Sequence, residues 1–164
     1  MKLKKRMVLT VMSFLFACCL WESQAITSRA EETEVPGYHV YTTTENEAID
    51  TWYGIARGTY LQSGTSGIVR AGSGKVSVSG TTNANVICDK VKVGVYLDES
   101  QNGSSYGTIG SYYFEETNTS SCHGSKANIS VTVGWYYRTR CGHSVTEGST
   151  TETSTTQTAW LRAT

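Results

Sequence analysis

The sequence DKVKVGVYL, residues 89–97, decides the fold of this chain. Its four aliphatic side chains occupy every second position, which is the period of a strand with one face in a core and one in solvent. The same alternation occurs at Val76 and Val78, and again over 129–133. Burial of the four aliphatic side chains alone contributes roughly 6 to 12 kcal/mol gross. Packing, rather than a crosslink, is therefore expected to stabilise the domain.

Further strand signals surround these three segments. They lie at 55–61, 68–71, 108–115, 135–145 and 151–158, separated by clusters of Gly, Ser and Asn. Asn102-Gly103 predicts a hairpin between two of these strands, because this pair readily adopts the positive backbone dihedrals of a tight turn. No segment has a helical period of useful length. We predict an all-β fold, an antiparallel two-sheet β-sandwich of about seven or eight strands, immunoglobulin-like in general architecture.

Residues 1–30 have the pattern of a secretory signal peptide. A basic segment at 2–6 precedes an apolar run at 7–20, which is shorter than the roughly 20 residues of a membrane-spanning helix. Small residues allow cleavage after Ala25 or after Ala30, and both sites stay open. Cys18 loosely matches a lipid-attachment site, but the bulky Phe16 and the apolar residues that follow favour secretion without lipid. We predict a secreted, extracellular protein whose mature chain does not span a membrane.

The charge of the chain changes once residues 1–30 are removed. The whole chain has 14 basic and 14 acidic residues, and the remainder has nine Lys and Arg against thirteen Asp and Glu. An acidic chain without a basic cluster argues against nucleic acid and anionic membrane surfaces as partners. Residues 31–50 are acidic and poor in aliphatics, so we predict a flexible leader there and one domain over 51–164. Tyr38, Val40 and Tyr41 allow a short extra strand at an edge of the domain.

Six segments together resemble a known family. They are GIARGTYL at 54–61, KVSVSGTT at 75–82, DKVKVGVYL at 89–97, GWYYRTR at 134–140, HSV at 143–145 and TETS at 151–154. The chain resembles a family of small secreted proteins of Gram-positive bacteria catalogued as a domain of unknown function, over nearly all of 54–158. The resemblance implies a bacterial extracellular sandwich and brings no catalytic or binding residues to transfer.

A second likeness, to immunoglobulin-like and fibronectin-like modules, lies in the step from Gly134 to Tyr137. In those modules a Gly-x-x-Tyr step enters a late strand, so Tyr137 is expected to make a corner hydrogen bond. This likeness concerns architecture only, since a fold does not determine a function.

Three cysteines remain after the signal peptide, so at most one intramolecular bridge can form. Cys88 shares parity with Lys90 and Lys92 and is expected to point outward, whereas Cys141 is expected to face the core. We predict a Cys88–Cys122 disulfide and a buried Cys141 thiol. A reactive extracellular thiol is an alternative.

Two chemical alternatives remain. Cys122, His123, Cys141 and His143 have the donor types of a zinc site, although no Cys-x-x-Cys pair anchors them. Residues 103–107 match the Gly-x-Ser-x-Gly nucleophile motif around Ser105, but they lie in a predicted hairpin loop and no helix follows. The sequence therefore predicts neither a metal nor a catalytic residue as its first choice.

The mature chain is rich in aromatic residues, and several have the parity of exposed positions. The set comprises Trp52, Tyr96, Tyr106, Tyr112, Tyr136 and Trp160. Exposed rings on a sheet can stack on sugars, and they can also simply pair across strands. Within the set, Tyr96, Tyr112 and Tyr136 are the candidate ligand-binding residues.

These features favour a secreted or cell-envelope-associated, non-enzymatic binding module that needs no cofactor. The candidate partners are a cell-wall or host glycan and another surface protein. The alternative function is a Cys/His-based metalloprotein or a small secreted hydrolase.

Overall fold

The computed structural model describes residues 31–55 and 60–164, which form nine β-strands. The strands are β1 (Glu31–Glu34), β2 (Gly37–Thr43), β3 (Glu47–Gly54), β4 (Leu61–Gly72), β5 (Lys75–Ser100), β6 (Gly107–Ser130), β7 (Tyr136–Glu147), β8 (Thr150–Gln157) and β9 (Leu161–Arg162). These residues contain no helix, which confirms the all-β prediction. In particular, they include no helix long and apolar enough to cross a membrane. The predicted signal peptide, its cleavage sites at Ala25 and Ala30, and Cys18 lie outside the described residues.

All nine strands belong to one hydrogen-bonded sheet. Seven follow the order β1-β8-β7-β5-β4-β3-β2, while β6 pairs with β5 and β9 pairs with β7. The sheet is mixed, because β1 runs parallel to β8 and the other pairs are antiparallel. It is strongly curled into a half-barrel. The predicted antiparallel two-sheet sandwich is thus replaced by a single curled sheet.

The sheet curls around β5. The first part of this strand belongs to one half of the curled sheet, and the second part belongs to the other half. Residues 75–84 of β5 pair with β4, and residues 90–100 pair with β7. Between them, the pairing with β6 shifts between Asn83 and Cys88, as at a β-bulge. A bulge bends the strand that carries it. Because β5 and β6 continue through this bend, the hydrogen-bonded ladder joins the two halves.

The two halves of β5 pack against each other across the core. A Cβ atom added to Gly80 would lie 2.7 Å from a methyl group of Val93, so glycine is required for this close approach. Nearby, Thr82 Oγ1 donates a hydrogen bond to the carbonyl oxygen of Lys92 at 2.7 Å. The interior between these halves is where the aliphatic face of residues 89–97 lies.

The predicted alternation along β5 is confirmed. The buried aliphatic side chains of this strand are Val76, Val78, Val91, Val93, Val95 and Leu97. Each such side chain contributes roughly 1.5 to 3 kcal/mol through its removal from water. The residues between them face outward and form the surface on which the candidate site lies.

Two predicted strands have different bounds in the structure. The alternation at 129–133 weakens because β6 ends at Ser130 and Val133 is exposed. Of the strand predicted at 55–61, Ile55 and Tyr60 lie outside any strand, and Leu61 is the first residue of β4. Residues 56–59 lie outside the described part of the chain.

The structure differs from the predicted flexible leader over 31–50. This range forms β1, β2 and the first half of β3. Two of its apolar side chains, Val35 and Ala48, are buried in the core, whereas Tyr38, Val40 and Tyr41 are exposed. The acidic composition did not indicate these strands, because pairing at a sheet edge supplies backbone hydrogen bonds independently of side-chain type. The extra strand suggested by Tyr38, Val40 and Tyr41 is confirmed as β2, which lies at the sheet edge.

The hairpin predicted at Asn102-Gly103 connects β5 to β6, which are antiparallel as expected. Its connection is longer than a two-residue turn and covers residues 101–106. Ser100 Oγ accepts a hydrogen bond from the Gly103 amide at 2.9 Å, and Asn102 Oδ1 accepts one from the Ser104 amide at 2.9 Å. Gly103 has a φ of 75°, which explains the glycine.

Tyr137 is fully buried and makes the expected corner hydrogen bond. Its hydroxyl oxygen accepts a hydrogen bond from the Thr132 amide at 2.9 Å. This contact ties the segment before β7 to the start of that strand.

Candidate functional site

The residues of β5 that alternate with the buried valines point away from the core, and they define the outer face together with their neighbours on β6, β7 and β8. A group of aromatic and charged side chains occupies one end of this face. We call it the aromatic–arginine cluster, and it consists of Tyr96, Asp98, Tyr106, Tyr113, Arg138, Arg140 and Trp160.

Asp98 is the buried centre of the cluster. Its carboxylate accepts hydrogen bonds from Arg140 Nε at 2.6 Å and Nη2 at 3.0 Å, from Arg138 Nε at 3.1 Å, and from Thr108 Oγ1 at 2.8 Å. Burial acts to raise the pKa of this carboxyl, but the hydrogen bonds from Arg140, Thr108 and Arg138 together outweigh it and lower the pKa. Asp98 is therefore ionised at neutral pH and holds both guanidinium groups in place.

The two guanidinium groups lie against aromatic rings. The Cζ atom of Arg138 is 4.3 Å from the ring centroid of Tyr106 and 4.4 Å from that of Trp160. Arg140 lies 5.6 Å from the ring centroids of Tyr96 and of Tyr106. These are cation–π distances, and they fix the loop after β5 and the segment after β8 onto the outer face.

An open floor lies beside the cluster. Gly94 on β5 pairs directly with Gly142 on β7, and a Cβ atom added to Gly142 would meet nothing within 4 Å. The Tyr96 ring lies over Gly94, and Tyr113 approaches Tyr96 edge-on with 5.8 Å between ring centroids. Tyr113 is 72% exposed. The result is a surface whose backbone is bare at Gly142, beside a wall formed by the Tyr96 and Tyr113 rings.

The three tyrosines proposed from the sequence do not form one group. Tyr96 belongs to the aromatic–arginine cluster. Tyr112 pairs with the buried Val95 and packs partly buried against the core, on the opposite face from Tyr96. Tyr136 pairs with Ser100 and with Arg162 at the start of β7. Trp52, from the wider aromatic set, is buried in the core.

Sequence reasoning missed Tyr113, Asp98 and the two arginines. A signal for the arginines was present, because Arg138 and Arg140 alternate along β7 with the buried Tyr137 and must share the opposite face. Their meeting with Asp98 depends on the β5–β7 register, which pairs Asp98 with Arg138. That register is not visible in the sequence.

Two predictions for the cysteines, the disulfide and the outward orientation of Cys88, differ from the structure. Cys88, Cys122 and Cys141 are all buried free thiols, so the Cys88–Cys122 bridge is not formed. The prediction that Cys88 faces outward is wrong: it is buried in the core at the bend of β5, although its pairing with β6 is in register with that of Lys90. Pairing places Cys88 opposite Thr119 and Cys122 opposite Thr82, which are different levels of the β5–β6 ladder. Cys141 faces the core as predicted, and burial raises its pKa to about 12.

Thiol reactivity tests this arrangement. We expect protein lacking residues 1–30 to react negligibly with Ellman's reagent at pH 8, since burial raises the pKa of all three thiols. In guanidinium chloride the same protein should release three equivalents of chromophore. One equivalent after denaturation without reductant would contradict the structure and restore the predicted disulfide.

The donors of the hypothetical zinc site are not assembled. His123 Nδ1 is hydrogen-bonded to Thr81 Oγ1 at 2.9 Å, and His143 Nδ1 is bonded to Thr82 Oγ1 at 2.8 Å. Consecutive residues of a strand point to opposite faces, so the two histidines lie on opposite sides of the sheet. This separation splits the set Cys122, His123, Cys141 and His143. Within residues 31–55 and 60–164 no group of three or more His, Cys, Asp or Glu is placed to hold a metal.

His143 is instead a core residue in a threonine network. Thr82 Oγ1 already donates its hydrogen to Lys92, so it accepts a hydrogen bond from His143 Nδ1. His143 Nε2 then accepts from Thr156 Oγ1 at 2.8 Å. Burial lowers the pKa of His143 to about 3, so the ring is neutral at physiological pH.

A histidine–aspartate pair lies in a separate cleft. His39 Nδ1 is 2.9 Å from Asp50 Oδ1, and Asp50 Oδ2 accepts a hydrogen bond from the Gln157 amide at 2.7 Å. The hydrogen bond from the Gln157 backbone amide to Asp50 ties β3 to the end of β8.

Ser105 lies in the connection from β5 to β6 rather than in a strand-to-helix turn, as expected from the sequence.

A family model covers most of the chain. It matches residues 26–160 and is described as a family of unknown function (DUF6147). Searches of curated proteins and of solved structures find no match. The matched range includes every residue of the aromatic–arginine cluster. The chain belongs to the family of unknown function DUF6147.

Proposed function

We propose that the protein is a secreted, non-enzymatic module that binds a glycan of the cell wall or of a host on its outer face. Export rests on the signal-peptide pattern of residues 1–30 and is a prediction. In this proposal the facing halves of the curled sheet serve as the two layers of an immunoglobulin-like scaffold. The outer face of one layer then presents the aromatic–arginine cluster to the ligand.

The observation that carries the proposal is the exposed aromatic wall beside a glycine floor. Tyr113 and Tyr106 are 72% and 52% exposed, and neighbouring rings and arginines hold them in place. Aromatic rings contribute a large contact area at low entropic cost because they have few rotatable bonds. The bare backbone at Gly142 leaves room for a flat molecule against the sheet.

The chemistry of the cluster favours binding over catalysis. Both carboxylate oxygens of Asp98 are occupied by hydrogen bonds from Arg138, Arg140 and Thr108, and the pKa of Asp98 is lowered. A general base works best with a pKa near the working pH and a free oxygen toward its substrate. Asp98 therefore serves to position the arginines.

Loss of the exposed tyrosines should weaken retention on insoluble glycans. We expect Tyr113→Ala or Tyr106→Ala to weaken binding about two- to tenfold each, because one aromatic contact contributes roughly 0.5 to 1.5 kcal/mol. The double variant should combine both losses. Sedimentation with purified bacterial cell wall and with a panel of insoluble polysaccharides measures the bound fraction.

Tyr53→Ala is the matched control, because Tyr53 is exposed on β3 and stacks on Tyr38 outside the cluster. It should bind like the natural protein. Equal losses in Tyr53→Ala and Tyr113→Ala would contradict the location of the site. Failure of the natural protein to bind any member of the panel would remove the glycan proposal.

A further inference from the structure

Arg138 and Arg140 have hydrogen-bond donors that the protein does not use. A guanidinium group has five N–H bonds. Arg138 donates only its Nε–H, to Asp98, and its Nη1 and Nη2 groups find no acceptor among the described residues. Arg140 donates through Nε and Nη2 to Asp98 and Thr108, which leaves its Nη1 group without an acceptor in the same residues.

The Nη1 and Nη2 groups of Arg138 reach the surface although the whole residue is only 8% exposed, since Ser66 Oγ and Ser154 Oγ are the buried side-chain polar atoms without a partner among the described residues. The Arg138 guanidinium lies in the angle between the rings of Tyr106 and Trp160, whose centroids are 6.3 Å apart. Its free N–H groups therefore open beside exposed aromatic surface, where an acceptor on a ligand can reach them.

The local charge has the sign that an anion requires. Two arginines share the single carboxylate of Asp98, which leaves one positive charge in the cluster. Farther along the same face, Lys90 and Lys92 share Glu115 and leave another. These two groups make this part of the outer face locally positive, although the chain beyond residue 30 is acidic overall.

Other acidic residues near the outer face lie apart from the cluster. Glu32 and Glu34 are on β1, which is separated from β7 by β8 and so lies about 10 Å from it, close to one Debye length. Glu99 follows Asp98 on β5 and projects to the opposite face. The carboxylate nearest to the two arginines is therefore the one they already bind.

We infer that the aromatic–arginine cluster binds a saccharide through a carboxylate group, which accepts hydrogen bonds from Arg138 and Arg140 while the sugar ring contacts the cluster's aromatic rings. This inference rests on the proposed function and names its ligand class, an acidic polysaccharide containing uronic acid. One added carboxylate neutralises the single positive charge of the cluster. It also satisfies the free donors of the arginines.

A carboxylate suits this site better than a phosphate. Both groups form paired hydrogen bonds with guanidinium. A carboxylate and a guanidinium group are both planar, so two parallel hydrogen bonds between them lie in one plane. A tetrahedral phosphate has further oxygens outside that plane, which need more space beside rings whose centroids are 4.3 and 4.4 Å from the Arg138 Cζ atom. We therefore expect the planar anion to fit better.

The test compares polygalacturonate with its fully methyl-esterified form, which has the same backbone and no charge. Isothermal titration of the whole protein should show at least tenfold tighter binding to the acid form. Raising the salt concentration should weaken that binding, because the added contact is ionic. Poly(glycerol phosphate) provides the phosphate comparison, and we expect it to bind at least tenfold more weakly than polygalacturonate.

Arg140→Gln is the informative variant, because Arg140 is one-third exposed and Asp98 keeps Arg138 and Thr108 as partners. We expect a roughly 10- to 100-fold loss of affinity for polygalacturonate, typical of a lost hydrogen bond between charged groups. Arg140→Lys keeps the positive charge but lacks the paired N–H donors of a guanidinium group, so it should recover only part of the affinity. Lys126→Gln, which removes a positive charge from β6 outside the cluster, should leave affinity unchanged.

The outcomes separate this inference from the proposed function. Equal affinity for acid and ester forms, with loss only in Tyr113→Ala, would overturn the inference and leave glycan binding intact. Preference for poly(glycerol phosphate) over polygalacturonate would also overturn it. No binding to polygalacturonate, alginate or hyaluronan would overturn it, and retention on a neutral glycan would then decide the proposed function separately.

Discussion

We expect Asp98→Ala to lower the free energy of unfolding by roughly 3 to 5 kcal/mol, the cost of removing one partner from a buried ion pair. Asp98 is the only acceptor that Arg138 has among the described residues. Without Asp98, a nearly buried positive charge remains uncompensated against Tyr106 and Trp160. Urea denaturation at pH 7, followed by tryptophan fluorescence, measures the change.

Glu115→Ala is the matched control for Asp98→Ala. Glu115 also bridges two basic residues on the outer face, Lys90 and Lys92, but all three side chains are exposed. We expect little change in stability, because solvent screens exposed ion pairs. The double variant Asp98→Ala/Arg138→Met should recover part of the loss, since the only charge left unpaired by it is that of Arg140, which is one-third exposed. A stable Asp98→Ala single variant would contradict the buried-pair interpretation.

Acid should destabilise the fold through His143. Its pKa is about 3 in the folded protein and near 6.5 when unfolded, so the unfolded chain binds more protons between these values. The stability contributed by the neutral ring is present above pH 6.5 and is lost as the pH falls toward 3. Between pH 6.5 and 4.5 we expect the free energy of unfolding to fall by roughly 2 kcal/mol from this group. Urea titrations at half-unit steps measure the slope.

The chosen range separates His143 from Asp98. The pKa of Asp98 is lowered, so its contribution is present above its ordinary pKa and is lost only as the pH falls below that value. His143→Gln removes the titrating ring and should flatten the slope. His123→Gln, at an exposed position on β6, should leave it unchanged. An unchanged slope in His143→Gln would show that another group causes the acid sensitivity.

The alternation in residues 89–97 predicted the class of fold because side-chain period and burial are linked directly in a strand. The prediction failed where pairing, rather than composition, determines structure. Residues 31–50 have few apolar side chains, yet β1 and β2 form at sheet edges through backbone hydrogen bonds. Cys88 is buried at the bend of β5 although it is in register with Lys90, so strand parity alone did not predict its burial.

The candidate site was predictable only in part. Tyr96, Tyr106 and Trp160 stood out as aromatic residues, and Tyr96 has the parity of an exposed position. Their association with Arg138 and Arg140 joins segments far apart in the chain, and it depends on the register of β7 against β5. A shift of that register by one residue would turn both arginines toward the core.

The sequence by itself determined that this protein is built from strands and that one face of its longest strand is buried, because the alternation of apolar and polar side chains is visible in neighbouring residues. Only the tertiary structure decided that the layers form one curled sheet, that the cysteines stay apart, and that Asp98 gathers two arginines among aromatic rings. These features depend on bends and on interstrand register, which arise from contacts between distant segments and leave no local pattern.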